Sequence, residues 1–363
     1  MCKKIFIAST GQNTGKTTTS ISLLHLARKK YQRIGFIKPF GPKLTSYRGQ
    51  DVDVDVALMA HVYGMDDDLS LMSPVVLYPS STRKVLDGRI DPQLYLEQIC
   101  QAAAELEKKC DFLIIEGAGH SGVGSVVGLS NALIAKQLDA PVLMVAGGGV
   151  GSVIDAINLN LALFREVGAE VRVLLPNKLL RPKREETLHY LGLAFKDAGI
   201  TVVGGFNYSP ILANPTLKYL STLLKLKLHA SEKQSNRIVH QIQLGAASTQ
   251  RVVDLLLDST LVIVTSSRDE VLVMLATLYH LPEYKTKIAG LIVTGVAPLA
   301  DIVQRVLDDA KIPYLRSNQT SAEVYTIVQA DVAKIRADDE QKIALVQRLA
   351  ETELDFETID ALF

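Results

Sequence analysis

KKIFIASTGQNTGKTTTS, residues 3–20, runs from a short apolar stretch into a glycine-bearing loop and straight on into a Thr/Ser-rich start of a helix. A strand feeding a Gly-Lys-Thr loop that opens a helix is the layout of a phosphate-binding loop. There, backbone N–H groups and the helix N-terminus cradle phosphates, the lysine neutralises their charge, and the Ser/Thr hydroxyl reaches Mg²⁺. Gly11, Gln12, Asn13, Thr14, Gly15, Lys16, Thr17 and Thr18 are therefore the candidate nucleotide-binding residues. The strict G-x-x-x-x-G-K-T spacing would place glycine at position 10; Thr10 stands there and Gly11 follows, so the loop is a variant.

Working outward, further apolar runs follow at intervals: RIGFIKP from 33, FLIIEG from 112, APVLMVAG from 140, EVRVLLPNK from 170 and TVVGGF from 201. Helix-like patterns such as SVIDAINLNLALFREV and EETLHYLGLAFKDAG separate them. Short strands alternating with helices of ten or more residues predict right-handed crossovers and a mainly parallel sheet covered on both faces, an α/β fold. The polar stretch KLHASEKQSNR, 227–237, interrupts this rhythm, and the sequence predicts a first domain over 1–225 and a smaller α/β domain over 226–363.

With 363 residues, 48% hydrophobic and 21% charged, the chain has the composition of an ordinary globular protein of about two domains. The 39 basic and 39 acidic residues balance, which excludes the uniform positive field of a general nucleic-acid binder. The halves differ: residues 1–225 carry 25 Lys/Arg against 20 Asp/Glu, and the remainder 14 against 19, so an anionic ligand prefers the first half. Cys2, Cys100 and Cys110 have no metal or disulfide spacing, and neither a signal peptide nor a membrane span is evident. The expected location is the cytoplasm, with no membrane partner.

The stretches STGQNTGKTT (9–18), GFIKPFG (35–41), DVDVDVALM (51–59), FLIIEGAG (112–119) and NYSPILANPTL (207–217) together resemble dethiobiotin synthetase and related ATP-dependent enzymes that activate a carboxylate or carbamate. The resemblance is closer still to the synthetase-like N-terminal domain of long phosphate acetyltransferases. It implies a P-loop nucleotide-binding domain that takes ATP and Mg²⁺, with Lys16 on phosphate and Thr17 on the metal. It further implies Asp55 as an acidic metal ligand, with Asp51 and Asp53 as competitors, and Glu116 as the acid near the metal and the γ-phosphate. Lys38 would face the transferred phosphoryl group, and Asn177 would read the edge of the base. Leu179 and Leu180 follow Asn177-Lys178, so the Asp that would read guanine is missing and adenine is expected. A homodimer is also implied. His120 and Asn207 depart from the synthetase pattern, which has Gly and often Pro at these places.

The later stretches LGAAS (244–248), TLVIVTSSRDEVLVMLA (260–276), KIAGLIVTG (287–295) and IPYLRSNQTSAEV (312–324) resemble the DRTGG domain, with Ser267 where a glycine precedes Arg-Asp. Ser266, Ser267, Arg268 and Asp269, with Thr294 and Gly295, sit at strand ends, where a small anionic effector would bind or where Arg268 and Asp269 would simply cap the helix. The glycine loop AGGGVGS, 146–152, likewise reads either as an anion site or as close strand–helix packing. The long relatives continue into a transacetylase region, and this chain ends at Phe363. The expectation is an ATP- and Mg²⁺-binding sensor or regulatory module without acetyl-transfer activity. The alternative is an ATP-dependent ligase of the dethiobiotin or cobyrinic acid amide synthase type. A partitioning ATPase is disfavoured, because Gly11 occupies the position of its signature lysine.

Overall fold

The computed structural model describes residues 2–330, 335–337 and 339–363, and the chain divides into two compact units, Met1–Tyr208 with Ile335–Phe363, and Ser209–Lys334. The first unit is built on six parallel strands: β1 Lys3–Ser9, β2 Ile34–Ile37, β3 Phe112–Glu116, β4 Val142–Ala146, β5 Val171–Pro176 and β6 Thr201–Val202, in the order β6-β5-β4-β1-β3-β2. Every residue of β3 and β4 is buried, which is why these strands read as continuous apolar runs rather than alternating ones. The register sets Ile7 opposite Glu116 and Ser9 opposite Val145, so the strand ends form one rim.

Four helices position that rim. They are α1 Lys16–Ala27, α2 Val54–Tyr63, α3 Asn131–Gln137 and α4 Gly151–Val167. Asp53 caps α2 by accepting from the Asp55 amide, Ser130 caps α3 through Leu133 N, and Gly168 ends α4 at φ 70°. Between β2 and α2, residues 44–47 and 50–53 form an antiparallel hairpin turned by Arg48 and Gly49, both at positive φ. Asp51 therefore lies on a strand. The Cys2 and Cys110 thiols lie 3.4 Å apart, with Cys110 buried.

The second unit holds β7 Leu228–His229, β8 Gln241–Leu244, β9 Thr260–Thr265, β10 Ile288–Thr294 and β11 Tyr314–Arg316, in the order β7-β11-β10-β9-β8. All its pairs are parallel except β7 with β11. Its helices include α5 Asp269–Leu278 and α6 Ser321–Ala330.

The chain then returns to the first unit as α7 Glu340–Glu353 and α8 Phe356–Ala361. This differs from the sequence reading at both borders: the expected boundary at 225 falls inside the second unit, and 335–363 belong with the first. The apolar face of α7, with Val346 and Ala350 fully buried, packs on α1, and Phe356 lies 6.0 Å, ring to ring, from Phe112. Ion pairs frame these contacts. Glu351 accepts from Lys29 and lies 2.9 Å from His25, while Asp360 takes Lys3, Lys30 and the Tyr31 hydroxyl.

Hydrogen bonds from Lys29 and His25 hold the Glu351 carboxyl down at about 2. Burial alone would raise the Asp360 carboxyl, but Lys3, Lys30 and Tyr31 outweigh it and lower it. Carboxylates depressed on folding stabilise above their unfolded pKa of about 4, and that contribution fades as pH falls through the folded value. Amide hydrogen exchange across 340–361 is therefore expected to be flat from pH 8 to about 5, and protection should fall as pH drops below about 4. Protection unchanged down to pH 2 would show that these pairs do not hold the segment. Among the described residues, no helix is long and apolar enough to cross a membrane.

Candidate functional site

The loop between β1 and α1 is shaped by its neighbours. Gly15 has φ 111°, and a Cβ there would fall 1.9 Å from Asn177 Nδ2, so only glycine fits. Asn177 donates from Nδ2 to the Thr14 carbonyl at 2.7 Å and accepts from Lys178 N through Oδ1. Lys178 donates from Nζ to the Asn13 carbonyl at 2.7 Å. Asn177, expected to read the base, is thus placed as a brace beneath the loop, and Lys178 is a second brace that the sequence reading did not single out. Lys16 is folded against the loop, donating to Ser9 Oγ at 2.7 Å and the Gly119 carbonyl at 2.9 Å. The N-terminus of α1 has no side-chain cap, which leaves its first amides directed at the loop.

Beneath the loop, the expected residues from four segments meet. Thr17 Oγ1 is 3.1 Å from Asp55 Oδ1 and 3.3 Å from Glu116 Oε1. Lys38 donates to Asp55 Oδ2 and to Glu116 Oε1, each at 2.8 Å, and Ser20 donates to Glu116 Oε2 at 2.6 Å. The charged side chains are 5% exposed at Lys38, 4% at Asp55 and 1% at Glu116, so the cluster is shielded from water. Burial pulls the Lys38 ammonium down, but Asp55, Glu116 and Asp53 outweigh it and hold it above the ordinary lysine value.

The competing acids lie elsewhere in role. Asp53 caps α2, and its carboxylate packs so closely on Gly41 that a Cβ there would be 2.1 Å from Oδ2. Asp51 is exposed, with its carboxylate 3.3 Å from the Tyr78 hydroxyl. Asp55 is the one of the three that joins Thr17 and Glu116. No group of three or more His, Cys, Asp or Glu among the described residues forms a metal cage. Two carboxylates and a hydroxyl instead fit Mg²⁺, which keeps waters and binds through one or two carboxylates together with substrate phosphates.

Two buried asparagines, which the sequence reading passed over, hold the facing loop. Asn131 Oδ1 accepts from Ala118 N, and its Nδ2 donates to the carbonyls of Ala118 and His120. Asn160 Oδ1 accepts from Ser121 N, and its Nδ2 donates to Ala156 O and reaches Thr10 O at 3.4 Å. His120 itself is exposed, accepting at Nδ1 from Gly122 N. In the glycine loop, a Cβ on Gly148 would meet the Lys178 carbonyl at 2.7 Å, which favours the packing reading there. Asn207 donates from N and Nδ2 to the Glu353 carboxylate on α7.

A family model described as an AAA domain matches residues 3–216, and a model described as a DRTGG domain matches residues 222–330. The chain is 22% identical to the phosphate acetyltransferase of Nitratidesulfovibrio vulgaris over 365 residues, covering 98% of this chain and 51% of that protein. It is 30% identical to the ATP-dependent dethiobiotin synthetase of Saccharopolyspora erythraea over 167 residues, 46% of this chain and 70% of that one. Among solved structures, septum site-determining protein MinD of Pyrococcus horikoshii, complexed with Mg-ADP, aligns over 58% of this chain and 84% of its own at 16% identity, with a TM-score of 0.37. The chain spans about half the length of the phosphate acetyltransferase it matches.

Proposed function

We propose, for a chain that belongs to the AAA domain family through residues 3–216, that the first unit binds Mg-ATP and serves as a sensor or regulatory module of the kind found in the N-terminal region of phosphate acetyltransferases. The observation that carries this reading is the Thr17 hydroxyl lying within hydrogen-bond distance of both buried acids, Asp55 and Glu116, at the foot of the loop. Lys16 and the uncapped α1 N-terminus would hold the phosphates, while Thr17, Asp55 and Glu116 would hold Mg²⁺, whose charge offsets that of the β- and γ-oxygens. Lys38 neutralises the acids and keeps them apart from solvent. Asn177, with Lys178, keeps the loop in register.

A second reading, an ATP-dependent carboxylate- or carbamate-activating ligase, is favoured by one observation: Lys38 is a buried ammonium in contact with Glu116, where a phosphoryl acceptor would need charge stabilisation. We expect only slow ATP hydrolysis, because turnover needs an acceptor held in line with the γ-phosphate.

Thermal melts of the full chain test the nucleotide reading. ATP with Mg²⁺ at about 100 times its dissociation constant should stabilise by roughly 2.7 kcal/mol. Lys16→Ala should remove the shift. Glu116→Gln should raise the Mg²⁺ needed far more than Asp51→Asn, since Asp51 lies outside the cluster. A shift that survives Lys16→Ala overturns the assignment. Phosphate release with bicarbonate and a panel of diamines and dicarboxylic acids separates the two readings: robust, Lys16-dependent turnover with any one acceptor supports the ligase.

A further inference from the structure

We infer that the rim formed by the C-terminal ends of β9, β10 and β11 in the second unit is a binding site for a small oxyanion, a phosphate- or carboxylate-bearing ligand. The three strands end side by side, with Thr265 opposite Thr294 and Val293 opposite Arg316, and parallel α/β sheets gather ligands at this edge. Ser266 continues β9 by donating from N to the Thr294 carbonyl at 2.8 Å. Its side chain is 4% exposed, yet its Oγ has no hydrogen-bond partner among the described residues. A buried hydroxyl left without a partner is costly, so it calls for a ligand or another compensating role.

Gly295 lies beside it. That residue has φ 98°, and a Cβ there would lie 3.2 Å from Thr265 Oγ1 and 3.4 Å from Ser266 Oγ, so the missing side chain leaves a cradle walled by two hydroxyls. The N-terminus of α5 opens just beyond, where Arg268 supplies no side-chain cap, although Glu270 takes its own amide through its carboxylate. Opposite stands Arg316, whose guanidinium donates from Nη1 to the carbonyls of Val293 and Ser317 and from Nη2 to those of Gly295 and Ala297, so what it brings to the rim is its charge. No carboxylate among the described residues pairs with it. By contrast, Arg268, the residue the sequence singled out, is taken up by Glu270 and the carbonyls of Ala246 and Ala247, so it closes the turn. The acids nearby are engaged or exposed: Glu270 by Arg268, Glu323 by Thr320, and Asp269 in solvent. Hydroxyl and amide donors with one unneutralised arginine select an anion over a cation.

The site deepens the sensor reading and rests on it for its purpose, but it is tested in the full chain carrying Lys16→Ala, so that the two fail separately. Inorganic phosphate and acetate are titrated at constant ionic strength, with chloride as control, by thermal melt and calorimetry. Phosphate or acetate should stabilise this chain, and which of them does so identifies the ligand's charged group. Ser266→Ala should raise the melting temperature without ligand, by removing the orphaned hydroxyl, and weaken the oxyanion response by about tenfold. Arg316→Gln should weaken it as well. The site is refuted if neither oxyanion stabilises, if the response survives Ser266→Ala unchanged, or if that variant melts lower without ligand.

Discussion

Lys38→Met should destabilise the protein by about 3–5 kcal/mol at neutral pH, because removing one partner of a buried ionic cluster leaves uncompensated charge in a medium that cannot solvate it. Here the change strands two carboxylates, Asp55 and Glu116, each 2.8 Å from the lost ammonium and almost wholly buried. Methionine fills similar volume, so cavity formation adds little. In the parent chain, the raised Lys38 pKa means that its contribution is complete below the unfolded lysine value of about 10.4 and is lost only as pH rises through the higher folded value. Between pH 6 and 9 that contribution is flat. Urea melts followed by circular dichroism at pH 7.5 measure the deficit. A deficit below about 1 kcal/mol would mean that the cluster is solvated and weak.

Gly15→Ala is expected to lower Mg-ATP affinity on the order of 100-fold while leaving the unit folded. The backbone at φ 111° is strained for any residue with a Cβ by about 1–2 kcal/mol, and the added methyl would lie 1.9 Å from Asn177 Nδ2. The amide must swing aside and give up the Thr14 carbonyl. Losing two or three loop hydrogen bonds at about 1 kcal/mol each, once the loop amides move off the phosphates, accounts for the size of the effect. Adding Asn177→Ala in the same chain removes the collision but not the backbone strain, so affinity should recover only in part. Titration with ATP by calorimetry distinguishes the cases. Affinity within threefold of the parent would show that Gly15 is not held in this conformation.

Much of the first unit is legible in the sequence because its strands are buried on both faces. FLIIE and VLMVA have no polar partner positions to confuse the reading, and the Gly-Lys-Thr loop fixes where β1 ends and α1 begins. The convergence of Lys16, Thr17, Lys38, Asp55 and Glu116 was readable only as a resemblance, since no local pattern brings segments 100 residues apart to one rim. Asp51, Asp53 and Asp55 stay in competition at the level of sequence because the period-two alternation of Val and Asp suits a hairpin strand as well as a solvated loop. Asn131 and Asn160 escaped because a polar residue in a helix gives no sign of which side faces a loop. The same locality hides where α7 docks. Its three- and four-residue apolar spacing requires some apolar surface, but periodicity cannot say whether that surface belongs to the preceding unit or to one begun 300 residues earlier.

The return of 335–363 has a topological consequence for anyone wishing to study either unit alone. No single cut in the backbone yields both: a fragment 1–208 would expose Phe112 and the face of α1 where Val346, Ala350 and Phe356 pack, an apolar patch that invites self-association. The middle unit, by contrast, is one continuous segment. Lys3 Nζ contacts the Asp360 carbonyl at 2.6 Å, so the two ends of the outer unit lie close together. A circularly permuted chain, with 335–363 placed ahead of residues 2–208 through a short glycine-rich joint, would keep that unit's core intact with the middle unit left out.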